Sequence, residues 1–148
     1  MPHFILSHGQ LGPLIELYIG VSAPLATSLK NQGVPVPSSV LVKGLVDTGA
    51  SHTAVDSALL AGLNISAKRL ALVITPTTGA TPVKAHTFDV SLYIPLGTPG
   101  AAPWGKAAWE VTRQDLNHQG FDVLIGRDLL AEALLVYDGK HAVFTLGF

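Results

Sequence analysis

The segment Leu45-Val46-Asp47-Thr48-Gly49-Ala50-Ser51 is where this chain could do chemistry. Asp47 closes an apolar run and is followed at once by a small hydroxyl residue and a glycine. Apolar neighbours limit the solvation of a carboxylate, which makes an idle one costly to keep. Gly49 is expected to take a positive φ and to let the backbone approach a second chain or a substrate. Thr48 is expected to hydrogen-bond across the turn and hold its shape. A carboxylate held this way can give or take a proton in a reaction. The plainer alternative is a strand-ending turn in which the carboxylate merely caps backbone amides.

A second element lies far along the chain, in Phe121-Asp122-Val123-Leu124-Ile125-Gly126-Arg127-Asp128-Leu129-Leu130. An apolar run meets a glycine turn and then a helical start bearing an arginine. An Asp-Thr-Gly triplet alone would arise by chance in roughly one chain of this length in thirty. The second element, in this order and with a hairpin between the two, makes coincidence a poor explanation. Together, Asp47-Thr48-Gly49-Ala50 and the Gly126-Arg127 turn resemble the retropepsin-like (retroviral-type) single-domain aspartic proteases, from about Leu14 to the C-terminus.

That resemblance implies a catalytic Asp47 supported by Thr48 and Gly49. It implies substrate contacts from Ala50, from Leu124, and from Thr77, Thr78, Gly79 and Ala80 at the tip of a flap hairpin, with Gly126 and Arg127 in structural roles. Thr48 would buttress its counterpart across a dimer interface. In retroviral enzymes the equivalent arginine pairs with an acidic residue shortly after the triad. Here those positions hold Ser51 and His52, so that ion pair cannot form. Asp128 reads as a helix-start residue favoured by the helix dipole. Asp122 reads either as an acidic pocket residue or as a loop-end carboxylate.

Other chemistries find little footing. There is no cysteine, which excludes disulfides, thiolate metal sites and thiol nucleophiles. The six histidines are scattered without ligand spacing, so no metal is expected. Ser51, His52 and Asp56 are sequence neighbours without the Gly-x-Ser-x-Gly elbow of a serine hydrolase. Gly79 to Lys84 lacks phosphate-loop spacing, and no cofactor is implied. Charged residues are 13% of the chain and the net charge is −1, which leaves no footprint for nucleic acid. Mean hydropathy is +0.42, yet no apolar stretch reaches the roughly 18 residues of a spanning helix. Met1 to His8 lacks the basic start and long apolar centre of a signal peptide, which favours a cytoplasmic location over secretion.

At 148 residues one domain is expected, with its core over about residues 14–148 and residues 1–13 as an extension or an added strand. Leu14 to Val21 alternates with period two, placing Ile15, Leu17, Ile19 and Val21 on one face. Residues 22–38, with Pro24, Gly33, Pro35 and Pro37, read as a long loop. Val40 to Val46 is the strand that delivers Asp47, and Asp56 is an N-cap for a short helix over 57–61. Leu70 to Thr75 and Val83 to Ile94 form a hairpin around a small-residue tip. Residues 95–105 and 113–120 read as loops, and 107–112 as a strand. After Gly126 a helix of about two turns is expected to reach Ala133. A last hairpin turns at Asp138-Gly139 and offers Val136, Val143 and Phe144 to a dimer interface.

The expected fold is therefore mostly β, a single-lobe, partly closed barrel of retropepsin type with a flap hairpin and one or two short helices. The expected activity is peptide-bond hydrolysis by a homodimer acting on an extended peptide or protein. The alternatives are a non-catalytic homodimeric peptide-binding module, or a protease limited to processing its own precursor.

Overall fold

The computed structural model describes residues 1–74, 79–97 and 100–148. In chain order the first half contains β1 (His3–Ser7), β2 (Leu14–Val21), α1 (Ala23–Asn31), β3 (Val40–Val46), β4 (Ala54–Asp56) and α2 (Ser57–Gly62). The second half contains β5 (Arg69–Val73), β6 (Val83–Ile94), β7 (Trp104–Gln114), a 3-10 turn at Asn117–Gln119, β8 (Val123–Ile125), α3 (Arg127–Leu130), β9 (Leu134–Asp138) and β10 (Val143–Gly147).

The alternation in β2 has the consequence expected of it. Ile15, Leu17, Ile19 and Val21 are buried, while Glu16 and Tyr18 are exposed. β2 pairs antiparallel with both β3 and β6, so six strands close a barrel in the order β2-β3-β8-β4-β7-β6. β5 hangs on β6 outside that ring and pairs with it antiparallel from Arg69 opposite Thr87 to Val73 opposite Val83. Phe88, Val90, Leu92 and Ile94 of β6 turn inward beside Leu17, Ile19 and Ile125. Each such side chain removed from water contributes about 1.5–3 kcal/mol.

A smaller sheet, β1-β10-β9, brings the two ends of the chain together, with Phe4 opposite Leu146 and Leu6 opposite Phe144. Residues 3–7 are thus a strand. Phe144 is fully buried rather than offered to a partner, because its face of β10 packs with Leu146 into the main core. The large apolar side chains this sheet does expose are Ile5, Leu6, Leu134, Val136 and Tyr137 on its two edge strands.

Three other expectations are corrected. The stretch 22–38 is not all loop, since α1 occupies nine of its residues. Ser22 caps the helix by accepting from the Leu25 amide at 3.4 Å, and Pro24 sits in the first turn, where a missing N–H costs nothing. At the other end Gly33 takes φ +69°, which lets the Gly33 and Val34 amides donate back to the Lys30 and Leu29 carbonyls. Pro24 therefore starts the helix, and Pro35 and Pro37 follow it. α3 has a single turn, because the chain must reverse at once to begin β9. β7 is longer than expected, running from Trp104 to Gln114, because it pairs along most of β6 and then with β4.

Candidate active site

β8 lies between β3 and β4, parallel to the first and antiparallel to the second. The connection from β3 to β4 must therefore pass over the end of β8, and that connection carries Asp47. Four hydrogen bonds hold it there. The Asp47 amide donates to the Ile125 carbonyl at 3.0 Å, and the Arg127 amide to the Ala50 carbonyl at 2.9 Å. The Gly126 amide donates to Thr53 Oγ1 at 3.2 Å, and Arg127 Nη1 donates to the Thr48 carbonyl at 2.9 Å. The two motifs, distant in sequence, thus form one clasp.

Gly126 has no room for a side chain, since an added Cβ would lie 2.5 Å from the His52 carbonyl carbon. Gly49 is small for a different reason than expected, as its φ is not positive. Its amide donates to Asp47 Oδ1 at 2.8 Å, and a Cβ there would sit 3.0 Å from the same oxygen. Thr48 makes no side-chain hydrogen bond across the turn among the described residues; its carbonyl, held by Arg127, does the bracing.

Asp128 is more than a helix-start residue. Its carboxylate caps the Leu129 amide at 2.9 Å and also accepts from the Thr53 amide at 3.0 Å, Thr53 Oγ1 at 2.8 Å and Trp109 Nε1 at 3.2 Å. One side chain thereby joins α3, β7 and the end of the Asp47 connection. Asp122 accepts from the Lys43 amide at 3.3 Å and does not line the cleft described below, so it ties β8 to β3.

Asp47 is half-buried and lines a cleft of about 380 Å3 together with Gly49, Ala50 and Leu124. Val73, the last residue of β5, and Ile74 after it form part of the same wall. Of the expected substrate contacts, Ala50 and Leu124 are therefore beside Asp47. Gly79 and Ala80 are exposed in the hairpin turn and do not line the cleft, and Thr77 and Thr78 lie outside the described residues. Residues not expected from sequence to line the cleft also border it, among them His52, Thr112 and Gln114. Nothing in local sequence marks Thr112 or Gln114, because β7 reaches the cleft only through its pairing with β4.

Among the described residues no group of three or more histidine or acidic side chains could hold a metal ion. No helix of the described residues is long and apolar enough to cross a membrane. Chemically, the cleft offers a carboxylate with one oxygen fixed by an amide, fit to exchange a proton with a bound ligand.

No protein-family model matches the chain, and no curated protein matches it. Among solved structures, a retropepsin-like aspartic protease from Rickettsia conorii superposes with a TM-score of 0.55 at 19% identity, covering 99% of this chain and 90% of that one. The retroviral protease-like domain of Ddi1 from Leishmania major gives a TM-score of 0.39 at 14% identity, covering 86% and 83%. The barrel, the clasp and the first of these likenesses define the class: the chain has the retropepsin-like fold.

Proposed function

We propose that the chain is an aspartic endopeptidase active as a homodimer, with one Asp47 from each copy forming the catalytic pair. The observation that carries this reading is Asp47 in a cleft, its Oδ1 oriented by the Gly49 amide and its loop clasped to Gly126 and Arg127. One carboxylate cannot serve as both base and acid toward one peptide bond, whereas two meeting on a two-fold axis can. Like charges about 3 Å apart cannot both ionise in acid, so the pair shares a proton.

The ionised member takes a proton from a bound water as the water oxygen bonds to the scissile carbonyl carbon. The protonated member donates to the carbonyl oxygen. Proton transfer to the amide nitrogen then lets the carbon–nitrogen bond break, and no cofactor enters. Thr48 buttresses its counterpart across the two-fold axis, while Ala50 and Leu124 contact the substrate. The β5–β6 hairpin acts as the flap, with Thr77, Thr78, Gly79 and Ala80 closing over the extended peptide and excluding water. Support for an association surface comes from the exposed Ile5, Leu134, Val136 and Tyr137 on the sheet that joins the chain ends.

The test is cleavage of a peptide library between pH 3 and 7, with sedimentation measured on the same dilution series. A bell-shaped acidic profile is expected, with specific activity falling as the dimer dissociates. Activity that persists in a monomer, or that keeps rising through neutral pH, defeats the shared-pair mechanism.

A further inference from the structure

The cleft that holds Asp47 does not end there. A second cavity of about 350 Å3 lies between β5 and β7, and His52, Val73 and Thr112 line both. His52 therefore stands where the two cavities meet. Its side chain is exposed, and Ser51 Oγ lies 2.9 Å from its Nδ1. Among the described residues Nε2 has no hydrogen-bond partner and is the ring nitrogen left for a ligand.

The other charged groups along this path are accounted for. Asp47 lies in the first cavity, and Arg69 on β5 and Glu110 on β7 border the second. Arg69 holds Glu110 through two of its guanidinium nitrogens, and Lys68 lies 3.6 Å from the same carboxylate. The hydrogen bond from Arg69 is the main reason the Glu110 carboxyl sits below its ordinary range, against the opposing effect of burial. Asp128, on the adjoining α3, has its oxygens occupied by Thr53, Trp109 and Leu129. Along this path, then, His52 is a basic side chain that makes no ion pair with an acidic side chain of the described residues.

We propose that His52 is a specificity-determining residue that favours peptides bearing a glutamate or aspartate side chain at the position crossing from one cavity to the other. This rests on the cleft being a peptide-binding site, as proposed above. A carboxylate side chain crossing at that point would meet Nε2, the ring nitrogen of His52 that Ser51 does not occupy.

Binding separates this inference from catalysis. Labelled peptides differing only by Glu or Gln at one position, scanned along the sequence, are titrated by fluorescence anisotropy into the Asp47→Asn protein at pH 5. At one position the Glu peptide should bind about fivefold tighter, the upper end for an exposed ion pair. His52→Gln should bring that ratio to one, and His52→Asp should favour Lys at the same position. The ratio is independent of the folded fraction of a variant. Equal binding of Glu and Gln everywhere at pH 5, or a preference that survives His52→Gln, overturns the assignment. Wild-type cleavage without such a preference leaves the protease reading standing and removes this one, and a preference without cleavage does the reverse. A protein that binds no peptide of the set overturns both.

Discussion

Asp47 follows β3 and Asp56 closes β4, the next strand, and they are carboxylates of opposite kind. Asp56 is buried at 3% exposure and accepts from the amides of Ala58 at 2.9 Å, Leu116 at 2.8 Å and Asn117 at 2.9 Å. Burial alone would push its carboxyl upward, but the amides of Leu116, Asn117, Ala58 and Leu59 outweigh that and hold it below its ordinary value. Asp47 is half-buried, faces a cleft and has the Gly49 amide on one oxygen. A carboxylate saturated by backbone donors is locked in its ionised form and serves the fold. One that keeps an oxygen toward a cavity can trade a proton with what binds there.

The sharpest way to break this contrast is to neutralise each group in turn. Asp47→Asn should lower peptide cleavage by about a thousandfold. Its unfolding free energy should stay within about 0.5 kcal/mol of wild type in urea titration, since it lies away from the core. Substantial turnover by the purified variant would remove Asp47 from catalysis.

Asp56→Ala is expected to act in the opposite sense, destabilising by about 3 kcal/mol because three amides lose their acceptor. If urea unfolding shows a loss no larger than that of a surface substitution, the saturated carboxylate is not the anchor described here. Acid sharpens the same point. The folded-state carboxyl titrates below the unfolded value of about 3.9, so its stabilisation is complete above that pH and is lost as pH falls through the folded value. Below about pH 4 the wild type should therefore lose stability more steeply than Asp56→Ala. Parallel curves from the two proteins would show that other carboxylates dominate.

The smallest effect concerns the clasp between the two motifs. Arg127→Ala removes the donor to the Thr48 carbonyl and should cost about 1 kcal/mol, because the pair is exposed to solvent. Cleavage should fall about tenfold as the Asp47 loop loosens, a loss in kcat more than in KM. An unchanged kcat would show that the main-chain bonds from Gly126 and Arg127 suffice to fix the loop.

The strands around the site were legible because burial on one face leaves a period-two record. Leu14 to Val21 carries it, Val40 to Val46 was legible as the apolar run before Asp47, and both have the bounds expected. α1 was hidden because its prolines and glycine resemble loop punctuation, whereas their positions in the first turn and just past the last make them helix boundaries. Asp128 shows the limit at the site. Its place at a helix start was visible, but its bonds to Thr53 and Trp109 join residues 75 and 19 positions away. Asp56 was legible as a helix N-cap, as its bond from the Ala58 amide shows, but its bonds from Leu116 and Asn117 were not, because those donors come from a turn that only β4–β7 pairing brings near.

The amino-acid order alone determined the local terms: which faces are apolar, where an aspartate follows a strand, and where glycine is required for close approach. The partners across space were decided by tertiary structure. Closing six strands into a barrel placed Gly126 under the Asp47 loop, gave Arg127 a carbonyl in place of an acidic side chain, and set His52 between two cavities. The physical reason is one of range. Side-chain periodicity and turn chemistry act over a few residues, whereas the hydrogen bonds that shape this site depend on a barrel that exists only after the whole chain has folded.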